Sequence, residues 1–241
     1  MSTALIEEVD ESSELEDANT PTLAARLGVA EDRLVETDDV PFEVWARSYN
    51  ADDRICELVD GHLVEKAVGA EESGLALNLG TLFDFANEQL RRARMSDDPP
   101  YHLLAGDGAI NAGRNGRVPD LSVISTTAWL AAGKRPKVAP PPILAVEVLS
   151  ESNTRREMRL KRADYFGVGV EEVWMADPEG LTVEVWTDVK KPVVYGADDA
   201  VPCGRLFPGL VVPVTDWLTG RLTRRSTELL SAIEPVSDEV P

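Results

Sequence analysis

Asp120, Glu147 and Lys161 are the residues whose types and spacing could do chemistry together. Glu147 interrupts an apolar run, Ile143 to Leu149, that reads as a strand covered on both faces. A charge inside such a strand costs free energy unless a cation pairs with it. Asp120 opens a second β-rich stretch, PDLSVI, and Lys161 lies in the basic segment TRREMRLKRADYF that follows Glu147. Two carboxylates at neighbouring strand ends suit a hard cation such as Mg²⁺, which takes a few oxygen ligands and keeps water and substrate phosphate. A nearby ammonium could orient the attacking water or stabilise charge developing on a phosphate. For each of the three a structural role is the alternative: a capping aspartate, a glutamate paired with an arginine, and a surface lysine.

These residues need a sheet and a helix to converge. ILAVEVLS reads as a central strand and TRREMRLKRADYF as the helix after it. At about 100° per residue, Thr154, Met158, Lys161 and Tyr165 share one helical face, turned to the sheet. Arg155, Arg159 and Arg162 fall on a neighbouring face that points outward, either to grip phosphates or as a solvated surface. Upstream, RICELVDGHLVEKAV reads as a β-hairpin around Asp60-Gly61, a turn that needs positive φ. Residues 70–94 place Leu75, Leu79, Leu82, Phe83, Ala86 and Leu90 at helical spacing, with acids early and arginines late. VEEVWMADP and LTVEVWT predict two strands around a turn near Asp177 to Gly180, KPVVYGA an edge strand, and LFPGLVVPVTDWL an irregular or partly extended segment. The expected class is α/β (α+β): one central mixed sheet flanked by helices, with an extra β-hairpin.

Composition bounds the function. The net charge is −19, and residues 1–39 hold twelve acids against two bases, a net −10. Residues 1–38 are expected to form an acidic, disordered leader, 39–224 the folded domain, and 225–241 a C-terminal helix and tail. The body that remains is still acidic, which disfavours non-specific attraction to nucleic acid. No stretch reaches the roughly 20 apolar residues of a membrane span, and the N-terminus lacks the pattern of a signal peptide. Two distant cysteines, Cys56 and Cys203, argue against a disulfide framework or a zinc site and fit a reducing cytoplasm. GxxxxGK[ST], GxGxxG after a strand, HExxH and GxSxG are all absent, and two histidines, His62 and His102, cannot supply a histidine-rich metal site.

The strings PDLSVI, AVEVLSESNTRREMRLKRADYF and GVEEVWMADP, with ELVDGHLVEKAVGAEES upstream and LFPGLVVPV downstream, resemble the Uma-two family of restriction-endonuclease-like proteins. That family belongs to the PD-(D/E)xK nuclease superfamily, and the likeness spans roughly residues 40 to 220. It implies a restriction-endonuclease-like core, a metal-dependent phosphodiesterase site and Mg²⁺, with Mn²⁺ as the alternative ion. Asp120 matches the PD aspartate and Glu147 the second acid, so these two become the implied metal ligands. The superfamily's usual lysine position, two after the second acid, is Leu149 here, and the lysine is implied to act from the helix as Lys161. Glu72, early in the long helix, matches the first-helix acid, where the family often has histidine; Glu65 is a nearby candidate. The implied substrate is nucleic acid, DNA in the first instance, with a homodimer as one way to cut two strands. The other reading is a nuclease fold without catalysis that binds nucleic acid or a protein partner.

Overall fold

The computed structural model describes residues 21–36, 38–50, 54–67, 69–95, 97–106, 108–133, 137–222 and 226–231; residues 1–20 of the expected leader and the last ten residues of the tail lie outside them. The chain begins with helix α1 (Leu23–Leu27), a 3-10 turn (Glu31–Arg33), strand β1 (Leu34–Glu36) and helix α2 (Phe42–Ser48). The hairpin follows as β2 (Cys56–Val59) and β3 (His62–Glu65), then the long helix α3 (Ala70–Ala93). Strands β4 (Tyr101–Ala105), β5 (Ile110–Ala112), β6 (Asn115–Arg117) and β7 (Leu121–Ser125) lead to helix α4 (Thr126–Ala131). Next come β8 (Leu144–Val148), α5 (Arg155–Gly167), β9 (Glu172–Asp177), β10 (Thr182–Trp186) and β11 (Val193–Tyr195). The described chain closes with β12 (Ala200–Pro202), β13 (Val211–Pro213), α6 (Val214–Leu218) and α7 (Ser226–Leu230).

The central sheet has the order β11-β10-β9-β8-β7-β4. Its one parallel pair is β8 on β9, connected by α5; the other neighbours run antiparallel. Strand alternation divides β8 between two cores. Leu144, Val146 and Val148 pack with Leu75, Leu79, Leu82, Phe83 and Leu90 of α3 on one face. Ala145 packs with Met158 and Tyr165 of α5 on the other. Glu147 shares that second face by parity, so the alternation aims its carboxylate at α5.

The expected hairpin is the middle of a second sheet rather than an appendage. The order β1-β3-β2-β6-β5 places it between β1, from the second half of the expected leader, and the strands before Asp120. Its turn has Asp60 at φ 49° and Gly61 at φ 87°, the positive pair a two-residue hairpin requires. KPVVYGA supplies β11 at the sheet edge, whereas VTDWL, expected to be irregular or extended, forms α6. Trp217 of α6 donates its indole N–H to the Leu75 carbonyl at 2.9 Å and is fully buried against α3. Among the described residues no helix is long and apolar enough to cross a membrane.

The second sheet is closed against α2 by one tight contact. A Cβ on Gly116 would lie 2.2 Å from ring atoms of Trp45, which is fully buried and hydrogen-bonded to the Cys56 carbonyl at 2.7 Å. Gly116→Ala is therefore expected to destabilise the protein by about 3 kcal/mol, the upper part of the range for overpacking. Chemical denaturation reads this directly, and an unchanged midpoint would show that the Trp45 ring has room to move.

Candidate active site

The register of β7 on β8 pairs Leu121 with Val146 and Ser122 with Ala145. The regular ladder ends at Leu121: the Asp120 N–H donates to the Val146 carbonyl at 3.0 Å, which sets Asp120 against β8 just outside the register. The Asp120 carboxylate is fixed by the Val148 N–H, which donates to Oδ2 at 2.7 Å. Asp120 is thus bonded to β8 on either side of Glu147, close enough for its charge to push the Glu147 carboxyl up.

Helix α5 brings Lys161 to them. Thr154 caps the helix by accepting the Glu157 N–H at 3.0 Å, and its own hydroxyl donates to the Gly28 carbonyl. Met158, Lys161 and Tyr165 are all buried on the sheet-facing side. Lys161 Nζ donates to Glu147 Oε2 at 3.1 Å, and the Tyr165 hydroxyl donates to Glu147 Oε1. Leu149 offers no substitute for Lys161: it packs beside the α5 cluster, and its N–H donates to the Ala176 carbonyl at 2.8 Å.

Three further charged residues complete the arrangement, and none was singled out from sequence. Glu57 of β2, 1% exposed, lies 3.1 Å from Lys161 Nζ, 2.9 Å from Arg117 and 3.0 Å from the Val118 N–H it accepts. Arg117 in turn reaches Asp164 at 2.6 Å. Lys66, one residue past β3, sits 2.7 Å from Asp120 Oδ1. Glu57 carries the signal that marks Glu147, an acid within an apolar strand. Lys66 carries no such signal, because a lysine beside VE at a strand end looks like an exposed one.

Burial and these neighbours set the proton affinities. Burial pushes Glu57 up, but Lys161, Arg117, the Val118 N–H and Lys66 outweigh it and hold its carboxyl at about 2. Burial likewise pushes Glu147 up. The pull of Lys161 is offset by the charges of Asp120 and Glu57, leaving Glu147 at about 7. Lys161 stays protonated: burial opposes its charge, but Glu147 and Glu57 raise its pKa above the ordinary value. Of the two glutamates that share Lys161, Glu147 is thus the readier to take a proton.

Glu72 sits apart from this cluster. It folds back over Gly69, where its carboxylate occupies the space a Cβ there would need. Among the described residues no hydrogen bond or ion pair joins it to Asp120 or Glu147. It lines a groove of about 1130 Å³ beside the end of β8, together with Leu149, Ser150, Arg155, Arg159 and Arg162. The outward arginines of α5 therefore do share one surface, and Arg162 lies 3.5 Å above the Trp186 ring. Acids outnumber arginines in the groove wall, six to four, so it is not by itself a basic track for a polyanion. Glu65 ends β3, and its backbone carbonyl accepts from Arg33 Nε at 2.8 Å. Among the described residues no group of three or more His, Cys, Asp or Glu is arranged to hold a metal ion.

The mixed sheet between α3 and α5 is the central sheet flanked by helices expected of a restriction-endonuclease-like core. The family Uma2, described as "Putative restriction endonuclease", matches residues 41–215, and the chain belongs to it. A crystal structure described as "a putative nuclease belonging to DUF820" from Anabaena variabilis ATCC 29413 is similar at a TM-score of 0.58 and 16% identity. That likeness covers 70% of this chain and 92% of the other, and it shows a shared fold. No curated protein matches the chain.

Proposed function

We propose that this protein is an endonuclease that hydrolyses phosphodiester bonds of DNA with the help of Mg²⁺, or of Mn²⁺ in its place. The observation that carries this reading is that Asp120, hydrogen-bonded to β8 on either side of Glu147, lies beside it next to the Lys161 ammonium. The donor set fits such an ion: two adjacent hard carboxylate oxygens leave its remaining positions to water and phosphate. Asp120 and Glu147 would hold it. Bound there, the ion would polarise a phosphoryl oxygen and lower the pKa of a bound water. The Val148 N–H fixes the orientation of Asp120, and Tyr165 with Lys161 fixes that of Glu147. Lys161 also balances the charge of Glu147 and Glu57 inside the fold. Glu72, on the groove wall apart from the cluster, is the third acid of this reading. The buried free thiols Cys56 and Cys203 accord with a reducing cytoplasm as its location.

Incubating the protein with duplex DNA, single-stranded DNA and RNA, with and without Mg²⁺ or Mn²⁺, tests the proposal. Glu147→Gln is expected to lower cation-dependent cleavage at least about 100-fold, the scale for losing one electrostatic stabiliser of the reacting phosphate. Equal cleavage by both proteins, or by neither on any substrate, would sink it.

A second reading has an observation of its own. All four carboxylate oxygens of Asp120 and Glu147 already accept an internal donor: Lys66, Val148, Lys161 and Tyr165. This favours a nuclease fold that binds nucleic acid or a protein without cutting. Calorimetric titration with Mg²⁺ or Mn²⁺ separates the two. Binding that disappears in Asp120→Asn supports the enzyme, and no binding even with DNA present supports the module.

A further inference from the structure

Strand β11 ends the central sheet, and among the described residues no strand pairs with its outer side. An open edge presents backbone N–H and C=O groups to any strand that can lie along it. The opposite edge, β4, exposes no large apolar side chain. By contrast, three of the nine exposed ones lie in or shortly before β11: Val189 at 53%, Val193 at 57% and Val194 at 56%. The register sets Val193 beside Val185 and Val194 beside Glu184, so the two valines stand on opposite faces of the sheet. The edge is therefore apolar above and below as well as open along its backbone. Lys190 precedes it and Asp198 follows it, both exposed, and among the described residues neither is in an ion pair.

The spacing of these charges selects the partner. A lysine beside an edge repels most strands that approach it. A second copy of this chain is different. Lys190 and Asp198 stand four residues from Val194, one on each side. An antiparallel strand related by a two-fold axis at Val194 brings Asp198 of one copy to Lys190 of the other, at both ends of the contact. In that register Val194 meets its own counterpart, and Val193 meets Tyr195, which already packs against the α3 side of the core. We propose that β11 is a self-association edge: two copies pair it antiparallel about Val194, joining their central sheets, with Lys190 of each closed by Asp198 of the other. This contact is isologous, the form a two-fold dimer requires. It does not rest on the nuclease reading. The strand is three residues long, so the dimer is expected to be weak, with a Kd of about 10–100 µM.

Sedimentation velocity of the full chain, from about 1 to 500 µM, reads the association. Salt of about 0.15 M screens the net charge of −19 beyond about 8 Å. The wild type is expected to shift from monomer to dimer across this range. Val194→Lys sets two like charges opposite one another at the axis and is expected to weaken the dimer at least about tenfold. Lys190→Asp and Asp198→Lys each turn two attractive pairs into repulsive ones, and each alone is expected to weaken it about tenfold. An equimolar mixture of these two is expected to recover the dimer, because one copy then carries both acids and the other both lysines. All three positions are exposed, so circular dichroism is expected to show the same folded chain throughout. A wild type that stays monomeric overturns the proposal. A dimer indifferent to Val194→Lys overturns β11 as the edge that forms it. A dimer that Val194→Lys dissociates but the charge variants leave unchanged, or that mixing does not recover, overturns the two-fold register.

Discussion

Glu57→Gln is expected to destabilise the protein by about 3–5 kcal/mol at neutral pH, the cost of removing one partner from a buried ion pair. The two glutamate oxygens accept from Lys161, Arg117 and the Val118 N–H within 2.9 to 3.1 Å. An amide has a single accepting end, so its NH₂ must face one of these cations, donor against donor. The effect carries a pH signature. Glu57 is held at about 2, below its ordinary 4.5. A carboxyl with a depressed folded-state pKa contributes stability that is full above its unfolded pKa and disappears as pH falls through the folded one. The wild type therefore loses this contribution between about pH 4.5 and 2, while Glu57→Gln has none to lose. Urea unfolding at pH 7, 5 and 3 should show the gap between the two proteins narrowing with acid. A constant gap, or equal stability at pH 7, would mean that Glu57 is not the acid that compensates Lys161 and Arg117.

Lys161→Met is the second large effect, also about 3–5 kcal/mol at alkaline pH. Met fills similar volume but leaves Glu147 buried with, among the described residues, the Tyr165 hydroxyl as its remaining donor. Glu57 suffers less, because Arg117 remains 2.9 Å away. Glu147 already sits at about 7 with Lys161 present, and without that ammonium its proton affinity rises further. A carboxyl raised in this way binds more protons folded than unfolded, so stability falls as pH rises through the window between the two pKa values. The variant is expected to lose less at pH 5.5, where Glu147 is neutral, than at pH 8.5, where its charge is unpaired. Denaturation midpoints at these two pH values, beside wild type, decide the point. An equal loss at both would place the destabilisation in packing of α5 rather than in charge.

These contrasts locate what was legible in the amino-acid order. Glu147 stands out because a strand covered on both faces leaves no room for an acid without a partner. The spacing of Met158, Lys161 and Tyr165 reads as one helical face, and the structure buries all three. The strand that opens at PDLSVI and the strand holding Glu147 are each legible from local apolar pattern, and so is α3. These features depend on periods of two and 3.6, which a linear sequence carries by itself.

Only the tertiary structure decided what pairs with what. Backbone bonds to Val146 and Val148 hold Asp120 beside Glu147, a contact between two strands that no local pattern specifies. Glu57 and Lys66 enter from a hairpin read as peripheral, because nothing local says that β2 joins β6 and brings both residues against α5 and β7. Arg33 lies within the acidic leader of the sequence, yet it makes a two-pronged pair with the buried Glu157 at 2.8 and 3.0 Å, 124 residues away. The resemblance groups Glu72 with the other acids, and in the structure the first turn of α3 folds it over Gly69 on the groove wall. The physical reason is common to all of these. Periodicity is a property of neighbours along the chain, whereas charge compensation in a buried site is settled by whichever cations the fold carries within about 3 Å, however distant in sequence.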